Sequence, residues 1–315
     1  MGIRQTFGDV EVRSDAEAAT ARVPRQSNHR SPTSNSTKKN HFVPCFYSSL
    51  WTGGDGKLCE FTRPYDRVKP LRKHPAATGY SPNLYTEAAL PPALRTYLED
   101  GFLKRVDQRA FDTLQLILAN RIADLTPDLR SAWARFIMSM IQRSPGKIAK
   151  LRKLWRGDDL KYDHSVERRY RELRKETDPP TFREYLAQAP LETSGRGQVQ
   201  LFQNVMDLPR VGTQIVNMIW GVLTIPDVPF KLLTSDRPII MTNGIGRAEA
   251  HVAVPIGPRK LFLAANKQET IDWIIALSPS DVIMQVNTMV VMQAEKFVYG
   301  ESDFAINFVE KHLRR

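Results

Sequence analysis

Two short polar motifs, each ending in proline, carry the side chains of this sequence that are best suited to chemistry. In chain order they read Asn40-His41-Phe42-Val43-Pro44 and Thr234-Ser235-Asp236-Arg237-Pro238. Because proline fixes the local direction of the backbone, the polar side chains beside it can be held in place. If the two motifs meet in the fold, an imidazole, a hydroxyl, a carboxylate and a guanidinium form one polar site.

Three of these side chains suit acid and base catalysis. His41 can exchange a proton near neutral pH, and Asp236 could orient its imidazole, accept a proton or hold a cation. Ser235 could approach a substrate or cap the turn that follows it. We predict these three as the catalytic residues of a hydrolase that acts on a phosphate-containing substrate such as nucleic acid.

Further side chains could bind that substrate or support the site. Arg237 and Arg143 can hold phosphate or carboxylate through their planar guanidinium groups. The ring of Tyr85 could receive an unpaired base, although packing in the core is the alternative that we favour for the aromatic residues of this segment. The residues predicted to support the site without touching substrate are Asn40, Glu99 and Asn287.

A purely structural role for both motifs stays open. A histidine ahead of an apolar strand can donate to a backbone carbonyl, and an aspartate before a proline turn commonly accepts a local backbone N–H. A metal site built on His41 and Asp236 would need further ligands, and His251 is the one other histidine placed to supply one. The metal and any cofactor are therefore left unassigned.

The positive charge of the chain is concentrated in one segment. The formal net charge is +11, and residues 127–176 hold 14 basic and 7 acidic residues, which gives +7 for this segment alone. Such a segment could bind nucleic acid or another polyanion, so a non-catalytic binding module is the alternative function. A solvated pair of helices with internal ion pairs also fits, because the acidic residues are interleaved.

Composition indicates a folded protein outside the membrane. With 315 residues, of which 42% are hydrophobic, the chain can bury one large core. Apolar stretches such as residues 215–225 are about half the length needed to cross a bilayer, and the first residues lack the apolar part of a secretory signal. We predict a cytoplasmic protein in which Cys45 and Cys59 are free thiols, and leave its oligomeric state open.

The apolar periodicity changes along the chain and predicts an α+β fold. Residues 1–39 are poor in large apolar groups and are predicted to form a disordered polar and basic tail. A single domain follows over residues 40–315. It is divided into an N-terminal hairpin segment, a helical region and a sheet-rich C-terminal part at 40–86, 91–217 and 218–315.

Neighbouring segments of a chain tend to lie together, so we expect the two ends to share one mixed or antiparallel sheet, with the helical region as a large central insertion. Several finer expectations depend on the positions of proline and glycine and on the alternation of apolar and polar residues. They are a second hairpin arm at 65–69, an irregular segment at 78–86, a polar loop at 192–197 and a helix over 198–217 bent near Pro209.

The order of these landmarks also resembles a known family. After His41 to Tyr47 come Gly56-Lys57-Leu58, Leu84-Tyr85-Thr86, a long helix bearing Glu99, Arg143-Ser144-Pro145, the Thr234 motif, Pro255-Ile256-Gly257-Pro258 and Asn287. In this order they are similar to the family catalogued as domain of unknown function 4238, over about residues 40–300. Cys45 and the Pro-Ile-Gly-Pro turn depart from the usual family pattern. The resemblance implies no particular reaction.

Overall fold

The computed structural model describes residues 39–156, 164–242 and 244–314. Its strands are β1 Lys39–His41, β2 Leu58–Thr62, β3 Lys69–Lys73, β4 Tyr80–Pro82, β5 Ile219–Thr224, β6 Thr234–Ser235, β7 Ile240–Met241, β8 His251–Pro255, β9 Lys260–Ala265 and β10 Val298–Gly300. Its helices are α1 Cys45–Ser48, α2 Lys104–Leu118, α3 Pro127–Gln142, α4 Pro145–Arg156, α5 His164–Leu173, α6 Phe182–Gln188, α7 Leu191–Met206, α8 Pro209–Asn217, α9 Gln268–Ala276, α10 Pro279–Gln293 and α11 Ile306–His312. A single π-helical stretch, Leu98–Leu103, leads directly into α2.

The two ends of the chain share one sheet, as the sequence predicts for an α+β fold. In this four-stranded sheet the order is β3-β2-β10-β6, so β10 lies between the N-terminal hairpin and β6. The second four-stranded sheet has the order β5-β9-β8-β7, and β1 pairs with β4 in a small third sheet. All of these pairs are antiparallel. The helical middle of the chain separates the strands of its two ends.

Local sequence signals explain where the long helices begin. Thr126 caps α3 by accepting the backbone N–H of Leu129 at 3.3 Å, and Pro127 occupies the first turn, where its missing N–H costs nothing. Ser278 and Pro279 start α10 in the same way. The start of α3 coincides with the boundary that its cap predicts.

Four finer expectations needed correction. The second arm of the hairpin is β3, which begins at Lys69, where the predicted arm ends. The segment 78–86 is not wholly irregular, because it contains β4. Residues 192–197 are the first turns of α7, and the predicted bent helix 198–217 is two helices, α7 and α8, separated at Asp207 and Leu208.

The core joins both ends of the chain to the helical region. Trp51 donates its indole N–H to the carbonyl of Leu232 at 2.8 Å, and the Tyr47 hydroxyl donates to the carbonyl of Pro255 at 2.7 Å. Trp133 of α3 stacks on Phe136 and meets Phe262 of β9 edge to face. From Lys39 onward, the described residues cluster into one compact unit. The predicted tail, apart from Lys39, lies outside the described residues.

No single helix of the described chain is long and apolar enough to cross a membrane, and α9 with α10, which reach that length together, are bent by 110° at their junction. Cys45 and Cys59 are both free thiols, as predicted.

Candidate functional site

His41 lies at the end of β1, where the strand is held by the loop before β4. The backbone N–H groups of Phe42 and Val43 both donate to the carbonyl of Gly79, at 2.9 and 3.1 Å. Gly79 has a φ of +63°, and an added Cβ would lie 2.9 Å from the Cβ of Val43. Only glycine fits this position without strain, so the placement of His41 depends on it.

The imidazole of His41 is half-buried and poorly solvated. It forms a hydrogen bond with the backbone of Ala76, and its ring centroid lies 5.5 Å from that of Tyr80. Nε2 is fully buried and has no hydrogen-bond partner among the described residues. Burial lowers the pKa of His41, Lys39 lowers it further, and the bond to Ala76 and the charge of Asp107 raise it. The ring is therefore mainly neutral at pH 7.

The acid beside His41 is Asp107 of α2, and it is paired with Arg143 at the end of α3. Nη1 of Arg143 donates to Oδ1 of Asp107 at 2.8 Å, with the arginine side chain 1% exposed and the aspartate 24% exposed. Burial raises the pKa of Asp107, while the Arg143 guanidinium lowers it. His41, Asp107 and Arg143 thus form one cluster of titratable groups, of which Asp107 lines a pocket.

That surface is a pocket of about 690 Å³ beside α2. Its lining residues are Cys45, Phe46, Glu99, Asp100, Lys104, Asp107, Gln108 and Phe111. Three carboxylates and one ammonium group face this space, so the pocket carries net negative charge. Glu99, predicted to support the site, lies in the wall of the pocket and can itself touch a bound molecule.

Cys45 is the nucleophile that the pocket offers by residue type, but its environment opposes that role. Burial raises the pKa of its thiol, and the negative charge of Asp107 raises it further. Since the thiolate is the reactive form, Cys45 is a weak nucleophile at neutral pH.

On the side away from the pocket, the cluster is held in place by Arg143, Tyr85 and Asn40. The guanidinium of Arg143 is completely buried, lies over the ring of Phe136, and donates through Nε and Nη2 to the sulfur of Met140. The Tyr85 hydroxyl donates to the Arg143 carbonyl at 2.8 Å, and Asn40 accepts the backbone N–H of Tyr85 at 3.4 Å. Arg143 and Tyr85 therefore hold the site together and present no group to a substrate.

Asp236 occupies a separate environment, in which its partners are backbone groups. Its carboxylate accepts the N–H groups of Glu295, Lys296 and Phe297 at 2.9, 2.7 and 3.0 Å. Burial raises the pKa of Asp236 to about 6, against the opposing effect of these three bonds. No described hydrogen bond or ion pair connects it with His41. The carboxylate fixes the turn before β10.

The other residues of the second motif are also tied to the chain. Ser235 is fully buried, and its hydroxyl accepts the backbone N–H of Arg237 at 3.1 Å. Arg237 is partly exposed, with Nη1 3.9 Å from Oε1 of Glu295. Asn287 of α10 bonds to the backbone on both sides of Leu232, accepting from Leu233 at 2.8 Å and donating to Lys231 at 2.9 Å. These geometries fit the structural alternative for this motif.

A chain of contacts nevertheless connects the two motifs. The turn that Asp236 holds contains Glu295, whose carboxylate accepts from the hydroxyl of Ser144 at 2.8 Å and from the N–H of Gly146 at 3.1 Å. Ser144 is adjacent to Arg143, the partner of Asp107. The second motif thus supports the end of α3 from which the buried arginine projects.

Among the described residues, no group of three or more histidine, cysteine, aspartate or glutamate side chains could hold a metal ion. His251, the third ligand considered from the sequence, lies at the start of β8, with Nδ1 2.9 Å from the hydroxyl of Thr242.

Comparison with known proteins adds one finding to this geometry. The sequence model of a family described as protein of unknown function (DUF4238) matches residues 39–304. The chain belongs to this family. In this DUF4238 protein the matched segment contains β1, the Asp107 pocket and the Asp236 turn. Neither the curated proteins nor the solved structures contain a match.

Asp107 is the residue of this DUF4238 site that the sequence motifs do not reveal. It has no proline beside it and stands in a helical stretch of mixed charge. The available signal was its position: Leu103, four residues before it, and Ala110, three residues after it, are both buried. An acidic side chain on the apolar face of a helix needs a partner, and this one has Arg143.

Proposed function

We propose that this protein is a hydrolase in which Asp107 is the acid–base group at the substrate. The observation that carries the proposal is the position of Asp107, between a buried arginine on one side and the pocket on the other. A carboxylate with a shifted pKa and a specific charge partner, placed in a cleft, is typical of catalytic sites. The proposal keeps the predicted reaction class and moves its acid from Asp236 to Asp107.

In this proposal the other members of the cluster act through Asp107. Arg143 holds its carboxylate in one orientation, and His41, whose ring is mainly neutral, acts on Asp107 only through its charge environment. Asp107 removes a proton from a water molecule as the water attacks the substrate. For a phosphate ester, the new bond joins the water oxygen to phosphorus, the bond to the leaving oxygen breaks, and that oxygen takes up the proton that Asp107 received, which restores the carboxylate.

The substrate class remains the predicted one, a phosphate-containing molecule such as nucleic acid. Because three carboxylates and one lysine line the pocket, a bare phosphate group would be repelled. We propose that the substrate enters as its Mg²⁺ complex, since Mg²⁺ is commonly held by one or two carboxylates together with substrate phosphate oxygens. The cytoplasmic location stays a prediction, as does the polyanion-binding alternative for residues 127–176.

The test compares Asp107→Asn with Asp112→Asn, a matched change at an exposed aspartate of the same helix that does not line the pocket. Turnover of bis(p-nitrophenyl) phosphate, p-nitrophenyl phosphate and oligonucleotides is measured with and without Mg²⁺. We expect Asp107→Asn to lower kcat by about 10²- to 10⁴-fold, the range typical of lost general acid–base catalysis. Asp112→Asn should stay within a few-fold of the parent protein.

The pH dependence gives a second readout of the same proposal. Because burial raises the pKa of Asp107, the acidic limb of kcat should lie above the ordinary aspartate pKa near 4. Absence of turnover on every phosphate ester, or equal losses in the two variants that both keep the parental melting temperature, would reject Asp107 as the catalytic group.

A further inference from the structure

Two adjoining depressions lie on either side of the ion pair between Lys231 and Glu301, outside the Asp107 pocket. The larger has a volume of about 610 Å³ and mainly apolar walls, which include Phe230, Leu232, Ile283, Met284, Phe304 and Phe308. The smaller, of about 400 Å³, is lined by Lys231, Arg259, Lys260 and the turn at residues 256–258. Lys231 and Glu301 belong to both linings, so the two spaces share one border.

The larger depression is built by contacts that the proposed reaction does not use. Asn287 fixes the backbone of Lys231 and Leu233 against α10, and this stretch forms one wall. Phe230 and Phe304 pack with ring centroids 5.6 Å apart, yet they are 53% and 63% exposed. Large aromatic side chains so exposed beside an apolar cavity are typical of a binding site.

The smaller depression is positively charged. Lys231 donates to Glu301 at 2.5 Å, and Arg259 pairs with Asp227, which is itself 93% exposed. Lys260 donates to the carbonyl of Leu118 at 2.5 Å, and no carboxylate of the described chain pairs with it. Three cations therefore face one carboxylate in the wall, with Asp227 next to Arg259, and the site favours an anion.

We propose that the two depressions together bind an anionic amphiphile with one linear apolar chain and a carboxylate or phosphate head group. The volume of the larger space is in the range typical of small-molecule sites, and its apolar walls favour burial of the chain. The head group lies in the smaller space, where it contacts Lys260 and replaces Glu301 as the ion-pair partner of Lys231. The shared border lets one molecule span both spaces.

Isothermal titration calorimetry below the critical micelle concentration tests the proposal on the full chain. The probes are decyl phosphate and decanoate, with decanol as the compound without a charge and inorganic phosphate as the compound without a chain. We expect at least one anionic probe to bind with a stoichiometry of one. Decanol and inorganic phosphate should bind at least tenfold more weakly. Binding of both anions identifies the negative charge as the feature recognised, and binding of only one identifies its chemical type.

Paired variants separate the two halves of the site. Met284→Arg introduces a charge into the apolar cavity and should lower the affinity for the anionic probe at least tenfold. Met289→Arg, at another exposed methionine of α10 that does not line the cavity, should leave it within twofold. Lys260→Ala should weaken only the anionic probes, whereas Lys267→Ala, at an exposed lysine before α9, should change nothing.

Thermal unfolding confirms that each variant is folded, and Phe304→Ser replaces Met284→Arg if the latter unfolds. The proposal is overturned if neither anionic probe binds the parent protein, if decanol binds as tightly as they do, or if the two methionine variants lower affinity equally. None of the substituted residues lines the Asp107 pocket, so failure here leaves the proposed hydrolase untouched.

Discussion

Two aspartates in this protein, Asp107 and Asp236, have opposite surroundings. The carboxylate of Asp236 accepts hydrogen bonds from three backbone N–H groups. Asp107 forms an ion pair with a single partner, and a quarter of its side chain is exposed. A carboxylate that is buried on three backbone donors fixes structure, because a ligand cannot reach it. A partly satisfied carboxylate at a pocket can exchange a proton with a bound molecule. The same residue type is therefore assigned a structural role at one position and a chemical role at the other.

Because the pKa of His41 is lowered in the folded state, this group makes the protein less stable as the pH falls. The folded state binds a proton at His41 less readily than the unfolded chain does, whose histidine pKa is near 6.5. The contribution of this group is therefore complete above pH 6.5 and is lost as the pH falls through 6.5 toward the folded-state pKa. We expect the parent protein to lose more stability than His41→Gln between pH 7.5 and pH 5.5.

Urea unfolding at both pH values measures this difference directly. The contribution of Asp236, whose raised pKa acts in the opposite direction, is present in both proteins and cancels. His251→Gln should also lose less stability than the parent protein between the two pH values, because burial lowers the pKa of that half-buried histidine as well. A parallel loss in the parent protein and His41→Gln would mean that His41 is not held in its neutral form.

Removal of the Asp236 carboxylate should cost about 2–4 kcal/mol of unfolding free energy at pH 7. The three N–H groups that it accepts lose their acceptor at once, and each unsatisfied buried group is unfavourable. Chemical denaturation of Asp236→Ala measures the loss. Asp272→Ala, at an exposed aspartate of α9, should change stability by less than about 0.5 kcal/mol. Equal, small losses in both variants would contradict the structural role of Asp236.

At the scale of elements, β1 is short and depends on one glycine for its position. Gly79→Ala should destabilise the protein by at least about 1–2 kcal/mol, because alanine is strained at φ +63° and its Cβ meets Val43. Gly56→Ala separates the two causes, since Gly56 has a φ of +69° with no atom within 4 Å of the added Cβ. Denaturant midpoints rank the variants. An equal loss in both would leave no role for the contact with Val43.

Secondary structure was predictable where a helix cap and a long apolar periodicity agree. It was not predictable where tertiary packing determines the local conformation. The start of α3 follows from Thr126 with Pro127 behind it. Gly195 and Gly197 suggested a loop, yet both lie inside α7, where they allow close contact. A Cβ on Gly197 would lie 2.5 Å from the Trp155 ring. A tertiary contact thus explains residues that local propensity assigns to a turn.

The candidate site could be predicted only in part, for a related reason. His41, Arg143, Tyr85 and Asn40 do surround one cluster, because short motifs beside turns and helix ends mark positions where side chains are held. The partner of His41 could not be found this way, since Asp107 is separated from it by 66 residues and has no turn signal. Which carboxylate meets an imidazole depends on how α2 packs against the N-terminal segment.

Several arginines of the basic segment 127–176 are already bonded to other groups within the fold. Arg130 donates to the carbonyls of Val216 and Met218 and lies 3.9 Å from the ring of Trp220, and Arg135 pairs with Asp207. Arg143 is buried in the candidate site. These three arginines hold helices together, so the cations that remain available to a polyanion are fewer than the sequence count of this segment indicates.

For the whole molecule, the position of β10 predicts that neither end folds alone. A fragment of residues 218–315 lacks β2, the neighbour of β10, and also the tryptophan and tyrosine that bond to Leu232 and Pro255. We expect this fragment to show no cooperative thermal transition by circular dichroism. Co-expression with residues 39–217 should restore one. A cooperative transition in the isolated fragment would show that its sheet is an independent unit.

The same arrangement means that the β2–β3 hairpin is synthesised well before β10, the strand with which it pairs. Leu58 to Lys73 leave the ribosome more than 200 residues before β10 is made, a delay on the order of 10–50 seconds at typical elongation rates. During that interval the nascent hairpin presents an unpaired strand edge while the helices are being translated. Such an edge is a template for pairing with other chains, so chaperone binding to the growing polypeptide should matter most in this window.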